Sequence, residues 1–579
     1  MKPNLVKGSR SVVLAYVVMG IAIVFALRLF YLQVIRHGHY VAQAQQEQVK
    51  RERLPAERGE IYAMNAGVPS KLVMNETVYT VFVDPATVKD ADKVIATMKS
   101  IAGGNVRDGF EDLVKRKESR YQVIAYRLTR SQADKIKAKK LSGVGFQAVS
   151  QRVYPEQRLA SQVLGFVNAE GKGNYGVEGY LNDKLAGKDG RLETVTDVSD
   201  VPLTVGGRNI RDLPENGEDV VLSIDKAVQS KVEEVIKRRA QRLGTDWLSV
   251  VVMNPNDGRV YGMANAPDYN PAEYYKVTDG ALFNNAAIST NYEPGSTIKT
   301  FTMATASDKN VAHSNSTYYN TDRIEVGGSR IENATKGHTG QITFQTAMTW
   351  SLNTGFVTLG QRLGNGSHIT KGARDTMYEY FHNRFRLGQM SGIELASEAG
   401  GLIVSPDKQE GNEVRYANMT FGQGMDSTPL QVAAGFSAVI NGGNYYKPTV
   451  IAGHMENGEY VPNKSPEPVQ RAVISQSASD EVRGMTHAAR SSAFAHLDKP
   501  GYTIGGKTGT AQVPTSGGYS DTETIASYVG YGGAEKPEYV IMVAMHGKNK
   551  VLQGGQDAMP VFTEISNWML DYLKIQPKG

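Results

Sequence analysis

The strongest feature of the hydropathy pattern lies at the start of the chain. Residues 12–27 form an unbroken apolar run, Arg28 interrupts it, and residues 29–35 resume it. About 20 apolar residues cross a bilayer as a helix, and an arginine at the far edge can extend its charge to the interface. The pattern therefore predicts one transmembrane helix over residues 11–35. Lys2, Lys7 and Arg10 precede it, which puts a tail of residues 1–10 in the cytoplasm. A cleaved signal peptide is the alternative. The length of the run and the lack of a small-x-small cleavage site favour an uncleaved anchor. Everything after residue 36 is then extracytoplasmic. The polar stretch 40–57, with Gln43, Gln46, Gln48, Lys50, Arg51 and Arg53, is expected to prolong the helix as a stalk.

Further along, residues 78–83 alternate as a strand that ends at Asp84-Pro85, and residues 86–140 read as helices alternating with charged loops. Residues 211–219 are polar, with proline and glycine, and mark a domain boundary. Residues 220–225 form a strand running into a helix cap. Val232, Val235, Ile236, Ala240 and Leu243 then share one helical face. Residues 248–253 and 259–264 are strands joined by the turn Asn254-Pro255-Asn256-Asp257-Gly258. Two more strands, 525–531 and 539–546, precede an amphipathic helix over 561–573. This order predicts terminal helices packed on an antiparallel sheet. A long, mostly helical insertion would form the opposite wall of a cleft. The strand at 503–512 should face the start of a helix near residue 296.

Composition narrows the function classes. A chain of 579 residues holds two or three domains and needs no covalent staples. Its +5 balance, from 64 basic and 59 acidic residues, gives no case for nucleic-acid binding. The absence of cysteine excludes disulfides, thiolate chemistry and cysteine-based metal sites. The ten histidines are scattered. His37-Gly38-His39, the closest pair, reads as a membrane-surface anchor and not as a ligand set.

Candidate chemistry centres on Tyr292-Glu293-Pro294-Gly295-Ser296-Thr297-Ile298-Lys299-Thr300. Pro294 and Gly295 mark a turn, and Ser296 falls at an expected N-cap. Lys299, three residues on, shares its helical face. A hydroxyl beside an amine can make a nucleophile and its base, provided burial or a second cation keeps the amine neutral. S-x-x-K alone says little: it also occurs at Ser223/Lys226 and Ser405/Lys408, and an isolated match reads as a helix start with an exposed lysine; Ser223 reads as strand, with Lys226 on the solvent side of the helix start. Ser296 is set apart by two downstream motifs. These are Ser351-Leu352-Asn353 and then Lys507-Thr508-Gly509-Thr510, which holds the one K-T-G of the chain. Ser289-Thr290-Asn291 also matches S-x-N but adjoins Ser296 too closely. Residues 171–176 match G-x-G-x-x-G. No parallel strand comes after them, as a dinucleotide site would require, so the match reads as a structural turn capped onto a short helix.

S-x-x-K, S-x-N and K-T-G in this order are the signature of penicillin-binding proteins and serine β-lactamases. From about residue 50 onward the chain resembles the class B penicillin-binding proteins, monofunctional peptidoglycan D,D-transpeptidases, and most of all their division-type (FtsI/SpoVD-like) branch. Arg58-Gly59-x-Ile61 and Gly176-x-Glu178-Gly179 match pedestal signatures of that class. Phe421-Gly422-Gln423-Gly424 with Thr428-Pro429-Leu430-Gln431, and residues 252–267, match transpeptidase segments. Ala63-Met64 departs from the usual Asp-Arg. The resemblance implies an α+β fold: an antiparallel five-stranded sheet with helices on both faces and an all-helical subdomain. It assigns residues 36–215 to an elongated pedestal of dimerisation type and 216–579 to the transpeptidase.

The resemblance also implies roles. Ser296 would attack the donor D-Ala-D-Ala peptide while Lys299 takes its proton. Lys507 would help keep Lys299 deprotonated, Ser351 would relay a proton to the leaving amine, and Asn353 would orient Lys299 and substrate. Thr508 and Thr510, with Lys507, would hold the terminal carboxylate. The N–H groups of Ser296 and Thr510 would form the oxyanion hole, and Gly509 would allow close approach. No cofactor or metal is implied. Expected partners are peptidoglycan stem peptides, β-lactams, a SEDS-type glycan polymerase, other divisome membrane proteins and the plasma membrane. A D,D-carboxypeptidase or β-lactam hydrolase, a membrane β-lactam sensor and a divisome scaffold are the rival readings. The pedestal shows no sign of a glycosyltransferase.

Overall fold

The computed structural model describes residues 10–40, 49–195, 210–515 and 518–578. All of the expected cytoplasmic tail but Arg10, and residues 41–48 of the expected stalk, lie outside the described residues. The chain forms two compact units, Met1–Glu57 with Gly187–Gly217, and Arg58–Ala186 with Glu218–Gly579.

In the first unit the helix Arg10–Phe30 runs into a π-turn at Tyr31–Ile35. Among the described residues, Val12–Ile35 is the one helical stretch long and apolar enough to cross a membrane, with a mean hydropathy of 2.5. Its apolar side chains are exposed all round, as a lipid-facing helix requires. The stalk expectation fails where the chain is described again. Val49–Leu54 is a strand, antiparallel to Gly190–Val195, which pairs in turn with Ile210–Asp212. Pro55 biases Leu54 away from helical geometry, and an ion pair from Arg53 to Asp189 fixes the strand end. Gly190–Val195 is the middle strand of this sheet.

The second unit contains two larger sheets. One has seven strands, including Ile451–Glu456, Asp219–Asp225, Ile61–Asn65 and Val68–Val83 in that order. Asp219–Asp225 runs parallel to Ile61–Asn65. The strand expected to open the C-terminal domain thus shares a sheet with the pedestal segment. The Glu60 N–H donates to Asp219 Oδ1 at 2.7 Å, and the strand is buried along nearly its whole length. Between 86 and 140 the expected helices appear at Ala91–Ile101, Phe110–Lys115 and Arg130–Lys137, with an unforeseen strand at Gln122–Leu128. They enclose a core of Val81, Met98, Phe110, Ile124 and Leu128. The G-x-G-x-x-G segment is a short strand turning into the helix Gly176–Tyr180. On that helix Glu178 is wholly buried. It accepts from Arg58 Nε at 2.8 Å and Nη2 at 2.5 Å, and from Arg152 Nε at 2.8 Å. Both pedestal signatures thus meet in one buried ion cluster.

The second sheet is antiparallel and five-stranded: Val260–Ala266, Trp247–Met253, Pro537–His546, Gly518–Gly533 and Thr503–Thr515. Side chains of a strand alternate between faces. Val250 and Val252 therefore pack under the terminal helices Lys226–Leu243 and Met559–Tyr572, beside Phe562 and Ile565. Val251 and Met253 face the opposite core, with Phe301, Leu430 and Phe436. With both faces covered, these strands read as continuous apolar runs. The helix Pro429–Ile440 is buried over its whole length and begins in a Thr428–Gln431 capping box.

Candidate active site

The chain reaches the cleft through a turn whose backbone is unusual. Gly295 has φ +59° and Gly422 φ +86°, a region that costs a residue with a Cβ. The Gly295 N–H donates to Gly422 O at 3.0 Å. A Cβ on Gly422 would sit 2.0 Å from Gly295 O. Ser296 is not an N-cap: it lies inside a 3₁₀ turn, Gly295–Ile298, that feeds the helix Lys299–Asp308. Thr297 Oγ1 donates to Pro294 O at 2.9 Å and braces the turn. The Ser296 hydroxyl bonds to no other described residue and faces a cleft of about 940 Å³.

Lys299 has no exposed surface. Its Nζ contacts Ser351 O at 2.7 Å, Ser351 Oγ at 3.1 Å and Asn353 Oδ1 at 2.7 Å. Burial, and then the charge of Lys507, hold its pKa well below the usual lysine range. The Ser351 hydroxyl can turn its proton toward a neutral Nζ, so this cage suits either protonation state. Ser351 itself has φ +56° at the end of the helix Phe344–Trp350, a strained geometry of the kind found at functional sites. Asn353 is held by its Nδ2, which donates to Glu332 O at 2.9 Å.

The opposite wall is the edge strand Thr503–Thr515. Lys507 is 4 % exposed and donates to Thr508 O at 3.0 Å and Oγ1 at 3.1 Å. Burial alone lowers its pKa, to about 7. The repulsion between the two ammonium groups is mutual, and Lys299, which has no exposed surface and is held well below the lysine range, loses its proton first. Gly509 is pressed onto the turn that carries Ser296: a Cβ there would lie 2.8 Å from Pro294 O. Thr510 Oγ1 accepts from the Gly554 N–H at 3.0 Å. Ser296, Ser351, Asn353, Lys507, Thr508 and Thr510 all line the one cleft.

The decoys separate cleanly. Ser223 is buried and donates to Val260 O and Thr449 O, while Lys226 pairs with Glu156 at 2.6 Å. Ser405 and Lys408 form a surface turn. One residue of the site escaped the sequence reading. Glu293, 6 % exposed, accepts from the Gly424 N–H at 2.8 Å and Tyr519 OH at 3.1 Å, tying the turn to two neighbouring segments. Burial raises its pKa. A glutamate before Pro-Gly reads as solvated, so no pattern marked it.

A covered antiparallel sheet, a helical wall and a serine–lysine cleft between them define the class of the penicillin-binding proteins and serine β-lactamases. Residues 248–567 match the penicillin-binding protein transpeptidase domain, and residues 53–222 the penicillin-binding protein dimerisation domain. The chain belongs to this family, as a class B, monofunctional penicillin-binding protein. It is 30 % identical to the stage V sporulation protein D of Bacillus subtilis over 98 % of its own length and 86 % of that protein. It is 27 % identical to the peptidoglycan D,D-transpeptidase FtsI of Escherichia coli, over 96 % and 91 %. Among solved structures, penicillin-binding protein 2X of Streptococcus thermophilus shares the fold with a TM-score of 0.73, at 22 % identity over 91 % of this chain and 80 % of that one.

Proposed function

We propose that this peptidoglycan D,D-transpeptidase works through an acyl-enzyme on Ser296. The observation that carries this reading is the buried Lys299 amine, caged by Ser351 and Asn353 and facing a second lysine across the cleft. Ser296 Oγ attacks the penultimate carbonyl of a D-Ala-D-Ala stem peptide and gives its proton to neutral Lys299. The N–H groups of Ser296 and Thr510 stabilise the oxyanion, an effect worth about 3–4 kcal/mol in acyl-transfer sites. The C–N bond then breaks, and the Lys299 proton passes through Ser351 to the leaving D-Ala amine. An amine of a neighbouring stem attacks the ester, returns a proton to Ser296 Oγ by the same route, and completes the cross-link. Lys507 and the hydroxyls of Thr508 and Thr510 hold the terminal carboxylate, and Gly509 lets the strand approach. β-Lactams enter as donor mimics and remain as the Ser296 ester.

In this reading residues 36–215 are the pedestal and 216–579 the catalytic domain. The short N-terminus is cytoplasmic and the cleft lies outside the membrane. The enzyme acts in septal wall synthesis beside a SEDS-type polymerase. The likeness to the division-type branch and the apolar helix Val12–Ile35 support this placement.

The test is intact mass after incubation with benzylpenicillin, for the wild type and Ser296→Ala. A lasting adduct on the wild type alone is expected. An adduct on the alanine variant refutes the assignment, and rapid turnover without an adduct moves the reading to a hydrolase.

A further inference from the structure

A second cavity, of about 490 Å³, shares no lining residue with the catalytic cleft. It lies at the other edge of the five-stranded sheet, where the strand Val260–Ala266 meets the C-terminal half of the helix Lys226–Leu243. Ile236, Ala240, Ala266 and Pro267 give it apolar walls, and Glu233 enters among them. Glu233 is held rigidly through one oxygen only. Its Oε1 accepts from the Ala160 N–H at 2.7 Å and from Gln229 Nε2 at 2.8 Å. Its Oε2 has no partner among the described residues.

The surrounding charges do not neutralise that oxygen. Arg158 is engaged by Asp268, at 2.6 Å. Asp246 turns away to His546 and to the Lys548 N–H. Lys237 is exposed and makes no ion pair among the described residues. Burial pushes the Glu233 carboxyl up to about 7, with Asp268 adding to the rise and the two hydrogen bonds and Lys237 opposing it. A carboxylate in this position gains most from a ligand that brings its own positive charge and excludes water. An anion would meet Glu233 head on, and a purely apolar ligand would leave it unpaired.

We infer that this cavity binds a small organic cation, a primary or secondary ammonium on an alkyl or aryl body. The ammonium sits on Glu233 Oε2, and the body lies against Ile236, Ala240, Ala266 and Pro267. The volume matches that of small-molecule sites, which are mostly apolar with a few polar groups that fix orientation. The site does not depend on the catalytic reading.

The probe is 4-phenylbutylamine, with 4-phenylbutyrate as the anion on the same apolar body. Binding to the detergent-solubilised full chain is followed by saturation-transfer NMR and thermal shift. The amine binds and the carboxylate does not. Affinity rises about tenfold from pH 6 to pH 8 as Glu233 ionises, because binding needs the charged form and the amine stays protonated to about pH 10. Glu233→Gln, which keeps an oxygen for Ala160 and Gln229, weakens the amine at least tenfold and removes the pH dependence. Ala240→Phe, which fills the cavity, does the same. Both variants keep the wild-type rate of penicillin acylation. Where Glu233→Gln fails to fold, Ala240→Phe and the wild-type pH dependence decide. Absence of amine binding, equal binding of the carboxylate, or undiminished binding to the filled cavity overturns the proposal.

Discussion

Gly422→Ala tests whether the loop 421–424 sets the position of Ser296, the proposed nucleophile. The new Cβ would lie 2.0 Å from Gly295 O and 2.7 Å from Gly295 N, where ordinary contact begins at 3.4 Å. Both are backbone atoms of the residue before Ser296, and the Gly295 N–H is already tied to Gly422 O. No side chain can swing aside, so the turn itself must open by roughly 1 Å, and a 1 Å misplacement costs about 100-fold in rate, or about 2.7 kcal/mol of barrier. The left-handed φ adds about 1–2 kcal/mol of strain to the folded state. Gly424→Ala is the matched control. It has φ +72° in the same loop, but its nearest neighbour would be Arg415 Cγ at 3.4 Å. It therefore carries the strain without the collision. The assay is the second-order rate of labelling by a fluorescent penicillin, with a melting curve of each variant. Gly422→Ala should lose about 100-fold in acylation, and Gly424→Ala should melt lower yet acylate near the wild-type rate. A folded Gly422→Ala that acylates like the wild type, or a control that loses as much, refutes the reasoning.

The same geometry sets three further outcomes. Glu178→Gln leaves the buried Arg58 and Arg152 guanidiniums without their counter-charge and should cost about 3–5 kcal/mol of stability, read by denaturant unfolding; a loss under about 1 kcal/mol would mean that the cluster does not hold the pedestal together. Asn353→Ala takes a hydrogen-bond partner from the Lys299 amine and should slow acylation about 10- to 100-fold, the worth of a bond to a charged group, with the melting temperature little changed. In the proposed mechanism acylation needs Lys299 neutral and Lys507 charged, so its second-order rate should fall as pH rises through about 7, where Lys507 loses its proton, and the limb should move up at saturating penicillin, whose carboxylate favours the charged form. The stability contribution of these two lysines runs the other way. Their depressed pKa values mean that the unfolded chain holds more protons above pH 7, so this contribution grows until the unfolded groups titrate near 10.5.

Features carried by local pattern were legible in the sequence. The apolar run 12–35, the hairpin at 254–258 and the helix ending at Tyr572 all rest on periodicity and turn residues within one short window. The three motifs were legible because each needs particular residue types at fixed spacing. What escaped depends on partners distant in the chain. Val49–Leu54 is polar enough to pass for a stalk helix, and only its pairing with Gly190–Val195 makes it a strand. Asp219–Asp225 looks like the first strand of the catalytic domain, and only the open edge of Ile61–Asn65 explains its sheet. Ser296 resembles an N-cap because serine before a helix usually is one; the left-handed Gly295 turns the chain a residue earlier and leaves the hydroxyl free.

Three S-x-x-K segments show why spacing alone cannot carry the chemistry. Lys226 has a carboxylate partner at 2.6 Å and a partly solvated side chain. Lys408 is exposed on a surface turn. Lys299 meets no carboxylate among the described residues: its partners are a carbonyl, a hydroxyl and an amide oxygen, and the nearest strong charge behind its depressed pKa is the like charge of Lys507. Neutral acceptors hold the amine in place without compensating its charge, while burial and Lys507 penalise that charge. Position and basicity are therefore set by different groups. Replacing Asn353 by aspartate should uncouple them: an oxygen for Lys299 Nζ is retained, the bond from Nδ2 to Glu332 O is lost, and the added carboxylate restores the Lys299 proton. Acylation by Asn353→Asp should then need higher pH than the wild type, with the rising limb of the profile shifted upward; an unshifted limb would mean that Lys299 is not the base.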